Sequence, residues 1–274
     1  MITVDATGEN TIVYSPGSNA QVTVDYVESV REALVRSSVL GLCLESPIET
    51  VTAAARMCHE AGVKVLLNDS PFTPSLPVEL VEASDILLVN EHEMAQLLGI
   101  AEPEDDDWDA FDWRHAFDKL RGFGFEQAIV TLGGDGSVVL DGTADDPEHR
   151  IQRIAPVRVK AVDTTGCGDS FMGTVLAGLA SGMTLSQSAE LASYVSAYAA
   201  TGYARRHPTA PRRRFVRPSP TPSRRNGEAL PQKPRGVGTH VVILEFGLIS
   251  RTEQLGRQAC RRFSKALRIR NWLW

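Results

Sequence analysis

VKAVDTTGCGDSFMGTVLAGLASG, residues 159–182, is the stretch that best shows how this chain is organised. Its pattern predicts a strand that ends at Val162, a loop over residues 163–168, and a helix that begins near Asp169. The helix positions expected to face the core are Phe171, Val175, Leu176 and Leu179. A strand that passes through a glycine-containing loop into a helix is typical of an α/β fold.

The loop has the features of an anion site. Gly166 and Gly168 allow the backbone to approach a phosphate closely, and the helix N-terminus adds further N–H groups. Asp169 lies at the mouth of this site, where a carboxylate can accept the proton of an attacking hydroxyl. The same residues also fit an ordinary helix cap after a flexible turn. The pattern is neither a Walker loop nor a clean GxGxxG fingerprint.

Outside this stretch, short apolar runs alternate with helical patterns, which predicts βαβ units and a mostly parallel sheet. A hairpin-like pair of short strands is predicted at the start, within residues 2–14. The other predicted strands are 39–45, 63–68, 85–89, 127–132 and 137–141. The predicted helices are 48–62, 91–98 and 108–122.

The composition excludes several classes of protein. With 43% hydrophobic and 23% charged residues, the 274-residue chain resembles a soluble globular protein. No apolar run reaches the roughly 18 residues of a membrane span, and the N-terminus lacks the pattern of a signal peptide. The four cysteines form no CxxC pair, which argues against a zinc cluster or disulfide framework and favours a reducing cytoplasm.

The charge changes sign along the chain. Residues 1–203 carry a net charge of −20, whereas residues 204–274 carry +14. The second stretch contains no Asp, is rich in Arg, Pro and Ser, and begins with a long segment of almost no periodicity, which is typical of disorder. The chain is therefore divided into an initial segment, 1–24, an α/β core, 25–203, and a basic tail, 204–274.

Several segments resemble the ribokinase family of carbohydrate kinases, also called the PfkB family. DTTGCGDSF (163–171) is similar to the family's second signature, with Cys167 in place of the commoner Ala. GENTIVYSPGSNAQVT resembles the end of the family's lid, and the chain matches the family over residues 1–203. The other similar segments follow the family's order: GLCLESPIETVTAAA (41–55), VNEHEMAQLLG (89–99) and AIVTLGGDGSVVLDG (128–142).

The resemblance implies ATP-dependent transfer of a phosphoryl group to a sugar hydroxyl, with D-ribose to ribose 5-phosphate as the first choice. Asp169 would be the general base, and the amides of Gly166, Cys167 and Gly168 would form the anion hole. Glu45 would contact the sugar, although a solvated charge at a strand end fits that residue equally well.

The resemblance also implies a nucleotide site, formed by Asn90, Thr131, Gly133 and Gly136. Glu93 would hold Mg²⁺ through water, since this ion keeps most of its hydration and needs few carboxylates. Plain structural roles are open for all five residues. Asn90 and Glu93 fit a helix cap with its capping-box partner, and the other three fit a tight hairpin turn.

A monovalent cation, K⁺ in this family, is implied next to the anion hole. Asp163 and the carbonyl of Thr165 would supply part of that site. Its remaining ligands belong to a later loop, which the sequence does not contain in recognisable form.

The implied fold is a ribokinase-like three-layer sandwich, with a cytoplasmic location and a homodimer as the family's usual state. The family's first strands and its GGKGAN-type sugar segment do not occur in this sequence. We therefore expect a fold that is incomplete at the N-terminus, with residues 1–24 as the remnant of the lid hairpin and its connection. The alternatives are a related kinase for another sugar or a nucleoside, and a non-catalytic fragment.

Two interpretations of the tail stay open. The Arg, Pro and Ser excess is typical of a GC-rich gene that is translated out of frame. Codons chosen for residues 204–211 and shifted by one base encode Gly-Ala-Gln-Ala-Ser-Tyr-Gly-Thr, which is similar to the family's continuation. A basic arm that binds nucleic acid is the other interpretation. We favour the frameshift over the nucleic-acid arm.

Overall fold

The computed structural model of the chain describes residues 2–4, 10–12, 15–202 and 241–244. The division at residue 204 therefore lies outside the described residues, as does the tail except for 241–244. Among the described helices, none combines the length and apolar character that crossing a bilayer needs.

The strands are β1 (Ile2–Val4), β2 (Asn10–Ile12), β3 (Val39–Cys43), β4 (Lys64–Asn68), β5 (Ile86–Asn90), β6 (Gln127–Thr131), β7 (Ser137–Asp141), β8 (Ile151–Ile154) and β9 (Val241–Leu244). The α-helices are α1 (Val24–Ser29), α2 (Arg31–Val35), α3 (Ile48–Glu60), α4 (Val78–Glu82), α5 (Glu91–Leu98), α6 (Trp113–Phe123), α7 (Cys167–Ala180) and α8 (Leu185–Ala200).

Seven of these strands form one sheet in the order β8-β7-β6-β5-β4-β3-β9. β3, β4, β5, β6 and β9 run parallel, whereas β7 and β8 are added antiparallel beside β6. β1 and β2 form a separate antiparallel pair, with Ile2 opposite Ile12. The predicted α/β fold with a mostly parallel sheet is confirmed.

Helices cover both faces of the sheet and make three layers. One face packs against α1 to α6 and includes Leu40 and Leu42 of β3. The other face packs against α7 and α8 and includes Val39 and Cys43 of the same strand. Successive side chains of a strand point to opposite faces of the sheet, and helices cover both faces here. All five residues of β3 are therefore buried, which explains why its sequence is apolar throughout.

Glycine allows the second helical layer to lie very close to the sheet. A Cβ added at Gly41 of β3 would lie 2.5 Å from Leu176 Cδ1 and 2.8 Å from Met172 Cε. A Cβ at Gly178 of α7 would lie 2.5 Å from Ser188 Oγ of α8. These two close approaches fix α7 on β3 and α8 on α7.

The predicted strand that ends at Val162 is wrong. β8 ends at Ile154, and Pro156 has no N–H with which to extend a ladder. The N–H groups of Val162 and Asp163 donate instead to the carbonyl of Ala200, at the end of α8. The segment before the anion loop is therefore held by a helix end.

Two helices begin at other residues than predicted. α7 begins at Cys167, two residues before the predicted Asp169, because Gly166 takes a left-handed conformation with φ +80° and acts as its N-cap. α6 begins at Trp113 because the Asp112 side chain accepts from the N–H of His115 at 3.0 Å.

Candidate active site

The residues predicted to be functional collect at one edge of the sheet, where the parallel strands end. Glu45 follows β3, Asn90 is the last residue of β5, and Thr131 is the last residue of β6. Ligands of open parallel sheets bind at this carboxyl edge. β3 and β6 are three strand spacings apart, so their carboxyl ends are separated by about 14 Å.

The helix α7 brings the anion loop, residues 163–168, to the same edge. Met172 lies near the carboxyl end of β3, with its Sδ 3.7 Å from Cys43 Sγ. Leu176, one turn further along α7, packs on Gly41 in the middle of the strand. α7 therefore runs antiparallel to β3, and its N-terminus lies at the carboxyl edge of the sheet.

Short-range hydrogen bonds fold the anion loop, and α8 braces it. The Asp163 carboxylate accepts from the N–H of Thr165 at 2.9 Å. The Cys167 N–H donates to the carbonyl of Thr164 at 3.1 Å. From α8, the hydroxyl of Ser196 donates to the Cys167 carbonyl at 3.1 Å, which ties the first residue of α7 to its neighbouring helix.

The three amides predicted for the anion hole are not equivalent. The Cys167 N–H already has a partner in Thr164. Within the described part of the chain, the N–H groups of Gly166 and Gly168 donate to no backbone or side-chain acceptor. These two amides, at the N-terminus of α7, are the ones left to meet an anion.

Two carboxylates and one amide form what we call the acidic end of the site: Asn19, Glu45 and Asp169. Burial raises the pKa of the Glu45 carboxyl, and the nearby charge of Asp169 raises it further. A hydrogen bond of 3.3 Å from the Asn19 amide opposes this rise in pKa. Asp169 is solvent-exposed in the first turn of α7, whereas Asn19 is only 3% exposed. The structure thus brings the two predicted carboxylates within electrostatic reach of each other.

A cleft of about 530 Å³ forms the opposite part of the site, which we call the glycine end. Its lining brings together Thr131, Gly133 and Gly136 of the β6–β7 turn with Cys167 and Gly168 of the anion loop. The two groups lie 31 positions apart in the sequence, counted from Gly136 to Cys167. The structure therefore brings three of the four predicted nucleotide residues together with two residues of the predicted anion hole.

Gly136 is required where the glycine end meets β8. Its φ is +91°, and a Cβ at this position would lie 2.2 Å from the carbonyl oxygen of Ile154. The opposite wall comes from Ser193, Ser196 and Ala197 of α8, whose small side chains leave the cleft open. Sequence reasoning missed this wall, because small residues in a helix also fit plain helix packing.

Asn90 and Glu93 form a capping box at the start of α5. The Asn90 side chain accepts from the Glu93 N–H at 2.8 Å, and the Glu93 carboxylate accepts from the Asn90 N–H at 2.8 Å. The structural role that the sequence left open is therefore present. Burial is the main cause that raises the pKa of Glu93, so the site disfavours its charge unless a cation is near. The lining of the 530 Å³ cleft does not include Asn90.

Asp69 is a buried carboxylate at the same edge that sequence reasoning missed. It follows β4, is fully buried, and accepts through Oδ1 from the N–H of Thr73 at 3.1 Å. Its Oδ2 has no hydrogen-bond partner among the described residues. Burial raises the pKa of Asp69 to about 6, and the charge of Glu93 adds to that rise. The sequence did contain a signal for a site residue here, because Asp69 is a polar residue that directly follows a predicted parallel strand.

The two residues predicted for a monovalent cation also lie together. Asp163 and Thr165 are joined by the hydrogen bond that folds the anion loop. The Thr165 Oγ1 is buried and has no hydrogen-bond partner within the part of the chain that the structure describes. A carboxylate oxygen and a hydroxyl oxygen are thus present beside the anion loop, and both are oxygen types that a cation can bind.

Comparison with known proteins identifies the family. A family model described as pfkB family carbohydrate kinase matches residues 1–211. The chain belongs to the pfkB family of carbohydrate kinases. The resemblance carried by the sequence motifs is thereby confirmed.

Individual members of the pfkB family are similar over part of their length. A ribokinase of Schizosaccharomyces pombe is 34% identical over 200 residues, which cover 72% of this chain and 59% of that protein. A deoxyribokinase of Salmonella typhi is 31% identical over 173 residues, which cover 63% and 53%. The structure of a ribokinase from Thermotoga maritima aligns with a TM-score of 0.58 at 26% identity, over 73% of this chain and 62% of that one. The chain thus spans less than two thirds of each of these proteins.

Proposed function

We propose that this chain catalyses ATP-dependent phosphorylation of a sugar hydroxyl, with D-ribose as substrate and D-ribose 5-phosphate as product. One observation carries the proposal. The first turn of α7 carries both Asp169, whose charge reaches Glu45 at the acidic end, and Gly168, which lines the cleft of the glycine end. A phosphoryl donor at the glycine end and a hydroxyl at the acidic end would meet at the anion loop.

Each group at the anion loop has a chemical task. The Asp169 carboxylate accepts the proton of the sugar hydroxyl while the hydroxyl oxygen attacks the γ-phosphorus of ATP. The bond from that phosphorus to the bridging oxygen breaks, and ADP leaves with the electron pair. The N–H groups of Gly166 and Gly168 stabilise the charge on the transferred phosphoryl group.

The acidic end would orient the sugar. Glu45 and Asn19 present a carboxylate and an amide, which can accept and donate hydrogen bonds to neighbouring hydroxyls. Ribose is the first choice because of the ribokinase relative, and 2-deoxyribose is the second because of the deoxyribokinase relative. These two sugars differ by a single hydroxyl.

Mg²⁺ fits the middle of the sheet edge. Glu93 and Asp69 are carboxylates close enough for their charges to interact, and Asp69 has an oxygen without a hydrogen-bond partner in the described residues. Mg²⁺ prefers oxygen ligands, retains waters, and needs only one or two carboxylates. Glu93 would hold the ion through water, with Asp69 beside it. When bound, the ion neutralises charge on the phosphates of ATP.

Asp163 and the carbonyl of Thr165 would hold K⁺ beside the anion loop, where the buried Thr165 Oγ1 is a further oxygen. We place the protein in the cytoplasm, because the described cysteines Cys43, Cys58 and Cys167 are free thiols. A homodimer stays a prediction from the family.

The test is ribose-dependent release of ADP by the full chain. Asp169→Asn should lower the rate by about 10²- to 10⁴-fold, because an amide cannot accept the proton. ATP affinity, measured by calorimetry, should stay within a few-fold. Asp118→Asn, an exposed Asp on α6 in the other helical layer, is the matched control and should change neither quantity. Near-full turnover by Asp169→Asn would remove Asp169 from this role.

A further inference from the structure

The cleft of the glycine end contains one charged side chain, that of Arg158. Among the lining residues that the structure describes, the others are glycine, small polar residues and apolar residues. The Cys167 thiol stays neutral, because burial raises its pKa. An arginine side chain keeps its positive charge in proteins. Arg158 therefore supplies the ionised group of this lining.

Arg158 lies on a segment that is attached on both sides of the cleft. On one side, Pro156 packs on the β6–β7 turn, since its nitrogen would lie 2.9 Å from a Cβ added at Gly136. On the other side, the N–H of Val162 donates to the carbonyl of Ala200 at 2.7 Å, at the end of α8. The segment thus forms a wall of the cleft between the turn and α8, and Arg158 lies within that wall.

The guanidinium of Arg158 differs from those of most described arginines. It forms no ion pair and no hydrogen bond within residues 15–202, and its side chain is exposed to solvent. Five other arginines are each paired with a carboxylate: Arg31, Arg36, Arg56, Arg121 and Arg153. The N–H groups of Arg158 are thus available to a ligand in the cleft.

An anionic ligand needs a cation at this position. Residues 1–203 carry a net charge of −20, which repels a polyphosphate. The N–H groups of Gly166 and Gly168 can bind an anion but carry no net charge. A guanidinium adds a full positive charge, and its planar set of N–H donors matches a pair of phosphate oxygens. Arg158 therefore provides what the backbone of the glycine end lacks.

We propose that Arg158 is a nucleotide-binding residue that holds the diphosphate part common to ATP and ADP. The inference rests on the proposed function, which places a phosphoryl donor in this cleft. The transferred group lies at the anion loop, and Gly168 of that loop lines the same cleft as Arg158. The contact is made to phosphates that stay on the nucleotide after the transfer, so Arg158 binds substrate and product alike.

Calorimetry of the full chain with Mg²⁺ and ADP, and separately with adenosine, tests this assignment. Arg158→Gln should weaken ADP binding by about 10-fold, the lower range for loss of hydrogen bonds to a charged group, because the site is open to solvent. Adenosine carries no phosphate, so its affinity should not change. In steady-state kinetics the KM for ATP should rise while kcat stays the same, as expected for a contact that is equal in the ground and transition states.

Lys160→Gln is the matched control. Lys160 is a second exposed cation on the same segment, two positions further along, and the cleft lining does not include it. Both substitutions remove one positive charge from the chain, so the difference between them measures a local contact. Because both side chains are exposed, urea unfolding should show the same stability for the parent and for both variants.

The outcomes separate this inference from the proposed function. Unchanged ADP affinity in Arg158→Gln, or an equal loss in Lys160→Gln, would overturn the inference and leave the proposed function intact. An equal loss of adenosine affinity would also overturn it, since the side chain would then act on the nucleoside or on the shape of the cleft. The predicted ADP effect in a chain that forms no sugar phosphate would overturn the proposed function alone. A parent chain that binds neither ligand would overturn both.

Discussion

The glycine end and the acidic end of the site are built by different means. The glycine end is shaped by backbone, since Gly136 lies against the carbonyl of Ile154 and Ser196 of α8 holds the Cys167 carbonyl. The acidic end is shaped by side chains, namely the carboxylates of Glu45 and Asp169 and the amide of Asn19. One end therefore depends on close packing, and the other depends on charge and hydrogen bonding.

This difference fits a division of labour along the sheet edge. In the proposed reaction the phosphoryl donor is always ATP, and a rigid backbone cleft suits a donor that does not vary. A sugar is distinguished by the positions of its hydroxyls, and interchangeable side chains suit that task. We expect substitutions at the glycine end to change stability and ATP affinity, and those at the acidic end to change sugar affinity and rate.

The largest effect is expected at Gly136. Gly136→Ala places a Cβ against the Ile154 carbonyl and demands a positive φ from a residue with a side chain. We expect the free energy of unfolding to fall by about 2–4 kcal/mol. ATP affinity should fall by about 10-fold or more, because a distorted β6–β7 turn would bind ATP less favourably. A tenfold loss corresponds to about 1.4 kcal/mol of binding free energy. Urea unfolding and calorimetry measure the two quantities.

Gly122→Ala is the matched control for this substitution. Gly122 lies in α6, has an ordinary φ, and would have nothing within 4 Å of a new Cβ. Alanine should stabilise the helix there by about 0.5–1 kcal/mol. A Gly136→Ala chain as stable as the parent would show that packing does not shape the glycine end.

The next effect concerns Asp69, which lies between the two ends after β4. Its pKa is raised to about 6, above its ordinary value of 3.8, so the folded chain binds this proton more tightly than the unfolded chain does. The stabilising contribution is therefore complete below about pH 4 and is lost as the pH rises through 6. Without Mg²⁺, the free energy of unfolding should fall by up to about 3 kcal/mol over this range from Asp69 alone.

Asp69→Asn should remove that part of the pH dependence, because an amide does not titrate. Urea unfolding at pH 4.5, 6 and 7.5 measures the effect, with Asp118→Asn as the exposed control. The difference in unfolding free energy between Asp69→Asn and the parent should grow with pH. A difference that is constant with pH would mean that Asp69 is ionised throughout.

Asp69 and Asn19 also show which parts of the site could not be predicted. The positions of β3 to β7 and of the anion loop follow from local patterns, because apolar runs and glycine turns determine structure within a few residues. The importance of Asp69 comes from burial and from the charge of Glu93, which lies in the first turn of α5. Asn19 matters because folding brings it to Glu45, 26 positions away in the chain. β9 depends on an edge of β3 that no pattern near residue 241 reveals.

The smallest effect is expected at the acidic end, from Glu45→Gln. Glutamine keeps an oxygen that can accept from Asn19 but removes the charge beside Asp169. We expect sugar affinity to fall by about 10-fold, as loss of a hydrogen bond to a charged group costs about 1.5 kcal/mol or more. ATP affinity should stay the same. If ATP affinity fell as far as sugar affinity, the two ends would not be separate, and calorimetry with each ligand alone decides this.

The central claim is that this sheet edge transfers the γ-phosphoryl group of ATP to a sugar hydroxyl. Phosphorus NMR of the full chain with ATP, Mg²⁺ and D-ribose tests it most directly, because ADP, inorganic phosphate and a sugar phosphate give separate signals. The account predicts a sugar phosphate that grows in step with ADP, only when ribose is present and only while Asp169 is intact. ADP that grows in step with inorganic phosphate, with no sugar phosphate, would contradict it.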